Sequence, residues 1–282
     1  MTASERIITR FAPSPTGRLH IGHAYSALFA ARAAAGGRFL LRIEDIDLAR
    51  CKPEFEEGIY EDLAWLGLEW ESPVRRQSDH FEDYRATLLK LDKEGLIYPC
   101  FCTRKDIQRE VDRAGRAPHG PDGVLYPGTC RALAPDERAA LAAAGEPHAL
   151  RLDMAKAVEA AGPLTFDDRE RGRIAVDGPG CGDVVLARKD IPTSYHLAVT
   201  VDDAIQGVTL VTRGEDLLHA THIHRVLQAL LGLQEPEYWH HELLTGADGK
   251  RYAKRDRSLT IKALRATGHS PATVRAMAGF PG

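Results

Sequence analysis

Two histidines, His20 and His23, flank Ile21-Gly22 just after a turn rich in proline and glycine. Helical residues three apart share a face, so both imidazoles can meet one ligand. Free backbone amides and the positive dipole end at a helix start favour negative charge. Gly22 lets a nucleotide lie close to the chain. Imidazoles there can donate hydrogen bonds to charge that builds on phosphate oxygens. A second element suited to the same ligand is Gly249-Lys250-Arg251-Tyr252-Ala253-Lys254-Arg255, a glycine-led basic loop. Such a loop can close over a triphosphate and neutralise departing pyrophosphate. Cys100 and Cys102 form a C-x-C pair, and Cys130 follows in a glycine-rich loop after Tyr126. Three nearby thiolates indicate a structural zinc site with four ligands and no open position. His119 and Cys181 are the chemically ordinary fourth ligands, and a tyrosinate is a rare one because its pKa must fall far.

These residues must be positioned by regular elements. Ile7-Ile8-Thr9 reads as a strand ending at Arg10. Pro13 and Pro15 forbid its continuation in either regular form, Gly17 permits a tight approach, and residues 24–35 read as a helix burying Leu28 and Phe29. Residues 38–43 form a strand ending in the acidic turn Glu44-Asp45-Ile46-Asp47, and residues 55–66 an amphipathic helix with Ile59, Leu63 and Leu66 on one face. Residues 81–91 are another helix. The order β-α-β-α indicates an α/β fold with a parallel sheet, which binds nucleotides at the carboxyl ends of its strands. From about Tyr98 to Asp190 the texture changes to cysteines, glycines, prolines and short strands such as residues 184–187. A helix over 217–231 and strands over 208–212 and 242–244 then restore α/β character. The expected organisation is therefore a first half of a sheet domain over 1–97, an insertion over 98–190, and a second half of that domain over 191–282. Arg10, Glu44 and Arg213 all fall at strand ends.

The chain has 282 residues, enough for one large or two modest domains, and a formal charge of −3, which argues against indiscriminate polyanion binding. No window approaches a membrane span, no export signal is visible, and five cysteines without such a signal argue against a disulfide framework. A cytoplasmic monomer with no membrane partner is the expectation.

The fourteen residues from Arg10 to His23 resemble the first signature of class I aminoacyl-tRNA synthetases, and the flank Arg10-Phe11-Ala12-Pro13-Ser14-Pro15-Thr16-Gly17 is similar to its glutamate and glutamine branch. The fold implied is the Rossmann-like catalytic domain of that class. Arg251-Tyr252-Ala253-Lys254-Arg255 resembles the second signature, Lys-Met-Ser-Lys-Ser. Arg251 replaces its first lysine and Ala253 its serine, so a hydroxyl contact is lost, whereas Lys254 matches the lysine placed on ATP. The resemblance implies that His20, His23 and Lys254 act in catalysis and, with Gly22, in ATP binding. It assigns Arg10, Ala12, Ser14, Glu44, Tyr195 and Arg213 to glutamate. Glu44 would pair with the ammonium and the two arginines with carboxylates, in an order the sequence leaves open.

The short length resembles the glutamyl-Q tRNA(Asp) synthetase family, similar to the catalytic part of glutamate–tRNA ligase with no anticodon-binding domain. That family carries C-x-C followed by Y-x-x-x-C, which selects Cys100, Cys102, Tyr126 and Cys130 as zinc ligands; Cys51 and Cys181 are left as plain burial. What it implies is ATP- and Mg²⁺-dependent activation of L-glutamate without tRNA, then transfer to queuosine in the anticodon of tRNA(Asp). Arg75, Arg76, Arg116 and Arg257 are candidate phosphate contacts. The rivals are a shortened glutamate–tRNA ligase charging a 3′ end and a non-catalytic tRNA-binding paralogue.

Overall fold

The structure is a computed structural model whose described residues are 6–113, 119–120, 123–244 and 260–281. The first half runs β1 (Ile8–Phe11), α1 (Ile21–Ala33), β2 (Arg38–Ile43), α2 (Pro53–Trp65), β3 (Glu71–Arg76) and α3 (Phe81–Lys93). These three strands are parallel neighbours in the order β1-β2-β3, as the alternation of strand and helix requires. Ile59, Leu63 and Leu66 are fully buried together with Leu19, Ile21 and Leu41, so one apolar core joins α1, α2 and the sheet. Leu28 is buried there too, whereas Phe29 is only half-buried.

The middle of the chain contributes β4 (Ile97–Cys100), α4 (Arg104–Arg113), β5 (His119–Gly120), β6 (Gly123–Val124), α5 (Pro135–Ala143), β7 (Ala149–Leu152), α6 (Met154–Ala161), β8 (Thr165–Asp168), β9 (Gly172–Ala175) and β10 (Val185–Ala187). Strands β4 and β10 flank β7 in a small antiparallel sheet. The chain then returns as α7 (Tyr195–Ile205), β11 (Leu210–Gly214), α8 (Leu218–Leu231), β12 (Glu237–His241), α9 (Ile261–Ala266) and α10 (Pro271–Met277). β12 lies parallel between β11 and β8, and β9 closes that edge as a hairpin with β8. The β8–β9 hairpin falls inside the range 98–190 expected to be an insertion, yet it extends the sheet of the second half. Leu152, Leu186, Leu197 and Leu227 also share one core across residue 190.

The strand expected over 242–244 lies earlier, at Glu237–His241; residues 242–244 have no regular structure. Two histidines hide its apolar character, because His240 and His241 are buried by partners that the sequence does not reveal.

The two half-sheets meet between β1 and β11. Thr209 donates its backbone N–H to the Ile8 carbonyl at 3.0 Å, and Ile8 N–H donates to Thr209 Oγ1 at 2.9 Å. From this line the chain proceeds to β2 on one side and from β11 to β12 on the other, which makes it a topological switch point open at the carboxyl ends.

Buried charge ties the seam. Asp203 on α7 accepts from Arg10 Nε (2.9 Å) and from Arg42 Nη2 (2.7 Å). Its neighbour Asp202 accepts from Arg75 Nε (2.7 Å), Gln77 Nε2 (2.8 Å) and the Tyr84 hydroxyl. Burial alone would raise the Asp203 carboxyl, but Arg10 and Arg42 hold it below its ordinary value. Breaking such a pair leaves uncompensated buried cations. Asp203→Ala is therefore expected to lower the unfolding free energy by about 3–5 kcal/mol in urea titration. A loss under about 1 kcal/mol would show that the seam does not rest on this carboxylate.

Candidate active site

His20 is the N-cap of α1: its Nδ1 accepts from Gly22 N–H at 3.1 Å, and His23 Nδ1 accepts from His20 N–H at 3.1 Å. This reciprocal capping box satisfies two helix-terminal donors with imidazoles. It also fixes the neutral tautomers, because an accepting Nδ1 places the proton on Nε2. The two rings lie 3.8 Å apart between centroids. A Cβ on Gly22 would come within 3.1 Å of His20 Cε1, so the ring packs closely over this glycine and would have to shift to admit a side chain.

A cavity of about 440 Å³ opens over this helix start at the switch point. Arg10, Ala12, His20, Gly22, His23, Glu44, Tyr195 and Arg213 line it, so five of the six residues assigned to glutamate share it with the phosphate-handling stretch. Ser14 instead lines an adjoining cavity of about 530 Å³, whose wall with the first is Glu44 and Tyr195. Glu44 is held in place by its N–H, which donates to the Pro13 carbonyl at 3.1 Å. Burial pushes its carboxyl up to about 7, against the pull of Arg42 and Arg10.

The two candidate arginines differ in what surrounds them. Arg10 is bidentate to Asp203 and donates Nη1 to the Thr212 carbonyl at 3.1 Å, so its charge has an internal carboxylate. Arg213, equally buried, belongs to no ion pair among the described residues. Its donors go to His224 Nδ1 (3.1 Å), His240 Nε2 (3.3 Å), the Tyr195 hydroxyl (3.4 Å) and Thr221 Oγ1.

Lys254, with Arg251 and Ala253, lies outside the described residues, as do Arg116 and Arg257. One described end of that segment lines the cavity, and the other pairs with the backbone beside His20, which lines it. Leu243 and Leu244 line it, and on the far side Thr260 pairs with His20 while Ile261 N–H donates to the Leu19 carbonyl at 2.9 Å. Arg75 is taken up by Asp202 and Asp83, which removes it from the candidate phosphate contacts. Arg76, half-exposed, pairs with Asp45 and Glu56.

The sequence reading missed Arg42, Asp202 and Asp203, although one arginine within Phe39-Leu40-Leu41-Arg42-Ile43 and two carboxylates after Leu197-Ala198-Val199-Thr200-Val201 signal a buried ion pair. It also missed Thr221, His224, His240 and Asp168.

A family model described as "tRNA synthetases class I (E and Q), catalytic domain" matches residues 6–280. The chain belongs to this family. It is 50% identical to a glutamyl-Q tRNA(Asp) synthetase of Rhodobacter capsulatus, over 97% of this chain and 100% of that protein. A protein of the same name from Symbiobacterium thermophilum is 44% identical over 94% of this chain and 83% of its own length. Among solved structures, a glutamate tRNA ligase of Elizabethkingia meningosepticum in complex with its amino acid is similar at TM-score 0.75 and 29% identity, over 94% of this chain. The chain spans about half of that ligase, 54%. With full-length relatives of the same name, it is placed among the glutamyl-Q tRNA(Asp) synthetases, ligases of the class I type. No helix among the described residues is long and apolar enough to cross a membrane.

Away from the cavity floor, Cys100, Cys102 and Cys130 place their sulfurs within 4.8 Å of one another, a group that could hold a metal ion. The Tyr126 hydroxyl lies 3.4 Å from Cys100 Sγ and 3.5 Å from Cys102 Sγ, and it accepts the Cys130 N–H at 2.8 Å. Cys181 is buried elsewhere, bonded to the Asp177 carbonyl. Cys51 is only half-buried, at the edge of the larger cavity. Cobalt titration is expected to give a thiolate-to-metal absorption band at one equivalent, and Cys102→Ala is expected to abolish it. An undiminished band in that variant would place the metal on other residues.

Proposed function

We propose that this chain activates L-glutamate with ATP and transfers it to queuosine in the anticodon of tRNA(Asp). The observation that carries the reading is a single cavity joining a helix start with two capping imidazoles to a buried, internally unneutralised guanidinium. The first suits a phosphate chain. The second suits a carboxylate.

In the first step the α-carboxylate of glutamate attacks the α-phosphorus of ATP and pyrophosphate leaves. Arg213 receives the side-chain carboxylate, with the remaining N–H groups of Arg10 beside it, and Glu44 receives the ammonium. Ala12 and Tyr195 shape the walls, and Ser14 meets the amino acid from the adjoining cavity. The Nε2–H groups of His20 and His23, together with Lys254, stabilise the charge that builds on the phosphate oxygens, while Gly22 keeps the backbone close. Mg²⁺ bound with ATP supplies further charge neutralisation. In the second step a hydroxyl of the queuosine cyclopentene ring attacks the adenylate carbonyl and AMP leaves. Catalysis is positioning and electrostatics, with no protein nucleophile.

Cys100, Cys102, Cys130 and Tyr126 would hold a structural zinc ion, which would fix the segment that borders the larger cavity. Burial and the neighbouring thiols push the Tyr126 phenol well above its ordinary value, so a tyrosinate ligand would need the charge of the metal itself, with the Cys130 N–H that donates to the phenol oxygen at 2.8 Å working in the same direction. The residues 98–190 then serve as a zinc-bearing insertion built onto the catalytic sheet, and the protein works in the cytoplasm as a monomer.

ATP–pyrophosphate exchange with glutamate and no tRNA is the direct test, followed by nuclease mapping of labelled glutamate on tRNA. Label is expected in the anticodon of tRNA(Asp), whereas label on the terminal adenosine would identify a shortened glutamate–tRNA ligase, and no exchange a non-catalytic paralogue. His23→Ala is expected to lower kcat for exchange by about 10²–10³ with little change in the glutamate KM. Glu44 must be ionised to meet an ammonium, and its carboxyl at about 7 is drawn down on binding. Glutamate affinity, read by calorimetry, is therefore expected to level off above about pH 8, to be about halved near pH 7 and to approach a tenfold fall per pH unit below about pH 6. A flat profile between pH 5.5 and 7 would rule Glu44 out of that role.

A further inference from the structure

Behind Arg213, on the side away from the cavity, lies a chain of buried polar groups contributed by β8, α8 and β12. Asp168 Oδ2 sits 2.6 Å from His240 Nδ1, both side chains being fully buried, and also accepts the His240 N–H at 3.1 Å. Two more backbone donors, from Glu170 and Arg171, reach Asp168 Oδ1 at 3.0 Å. Burial alone would raise the Asp168 carboxyl, but these hydrogen bonds hold it below the ordinary range. Asp168 is therefore a carboxylate, and His240 donates Nδ1–H to it.

That one assignment propagates. His240 Nε2 must accept, which it does from the Thr221 hydroxyl at 2.8 Å and from Arg213 Nε at 3.3 Å. Thr221, having donated, accepts from Arg213 Nη2. On the other flank His224 Nδ1 accepts from Arg213 Nη1 at 3.1 Å, which leaves its Nε2–H to donate to His196 Nδ1 at 3.2 Å. Both imidazoles are thus neutral. Burial and the neighbouring guanidinium push His240 down to about 4 and His224 well below its usual value.

We propose that Asp168, Thr221, His224 and His240 are positioning residues that hold Arg213 in place with neutral acceptors, so that its positive charge stays available to a ligand carboxylate. The contrast is Arg10, which lines the same cavity but has its charge cancelled because Asp203 is bidentate on it. A carboxylate at the position of Thr221 would steady Arg213 equally well and cancel it. The one carboxylate in the group, Asp168, acts through His240 and keeps its charge one imidazole away. Selectivity for a dicarboxylic amino acid over its amide then comes from what surrounds the arginine as well as from the arginine itself.

This inference rests on the reading of Arg213 as the receptor for the glutamate side chain. Exchange by Arg213→Gln, measured first, tests that reading on its own: a glutamate KM raised at least tenfold supports it, and an unchanged one removes Arg213 from the side-chain site. Thr221→Asp places a carboxylate against Arg213. It is expected to raise the glutamate KM at least tenfold while kcat changes less than threefold, and to lower the preference for glutamate over glutamine at least tenfold. Thr221→Ser, which keeps the hydroxyl, is expected to restore both. Asp168→Asn is the second variant, since an amide no longer requires His240 to donate from Nδ1; it is expected to raise the glutamate KM with the ATP KM unchanged. A folded Thr221→Asp enzyme with unaltered glutamate preference overturns the proposal, as does an Asp168→Asn enzyme with wild-type glutamate KM.

Discussion

The carboxylate of Asp203 binds two buried guanidiniums at once, and the rest of the site depends on that contact. Arg10 comes from β1, Arg42 from β2 and Asp203 from α7. One ionic contact therefore pins the first half of the sheet to the second along the β1–β11 line. It also decides the distribution of charge across the cavity. Among the described residues, Arg10 and Arg42 are compensated by carboxylates of the protein, and Arg213 is not. A buried cation without a carboxylate is costly unless a ligand supplies one, so the fold builds a preference for an anionic group into its own seam.

The second consequence of the seam concerns the phosphate side. Because β1 ends at the switch point, the turn that follows it delivers α1 with its first residues at the cavity mouth. The capping is done by His20 and His23 in place of the serine, threonine, aspartate or asparagine that ordinarily serve there. A capping carboxylate would repel phosphates at the spot where the helix dipole attracts them. Imidazoles cap the helix without adding negative charge, and the capping bonds aim their protons away from the backbone. Glu44 and Tyr195 then separate this chamber from a larger one bordered by the cysteine-bearing segment, so two substrates can meet at a shared wall.

Much of this was legible in the residues. The proline-interrupted turn, the His-Ile-Gly-His stretch and the strand at 38–43 follow from local chemistry, which needs no tertiary information. The strand-end placement of Arg10, Glu44 and Arg213 follows from alternation of strand and helix. What stayed hidden was the pairing of charges distant in sequence. Arg42 and Asp203 are 161 residues apart, and nothing local says that one neutralises the other. β12 was displaced for a related reason: His240 and His241 read as polar, yet they are buried by hydrogen bonds to Asp168 and by ring contacts with Tyr25 and Phe29. Position in the chain groups the β8–β9 hairpin with the insertion, whereas in space β8 pairs with β12 of the second half.

Two arginines divide the labour in the cavity, one neutralised by the fold and one left for the ligand. The most direct measurement is a crystal structure with a non-hydrolysable glutamyl adenylate analogue bound. The expected result is the side-chain carboxylate on Arg213, the ammonium on Glu44 and the bridging group over the start of α1 beside His20 and His23, with Arg10 still bidentate to Asp203. A side-chain carboxylate seated away from Arg213, or Asp203 released from Arg10 to admit it, would contradict the account.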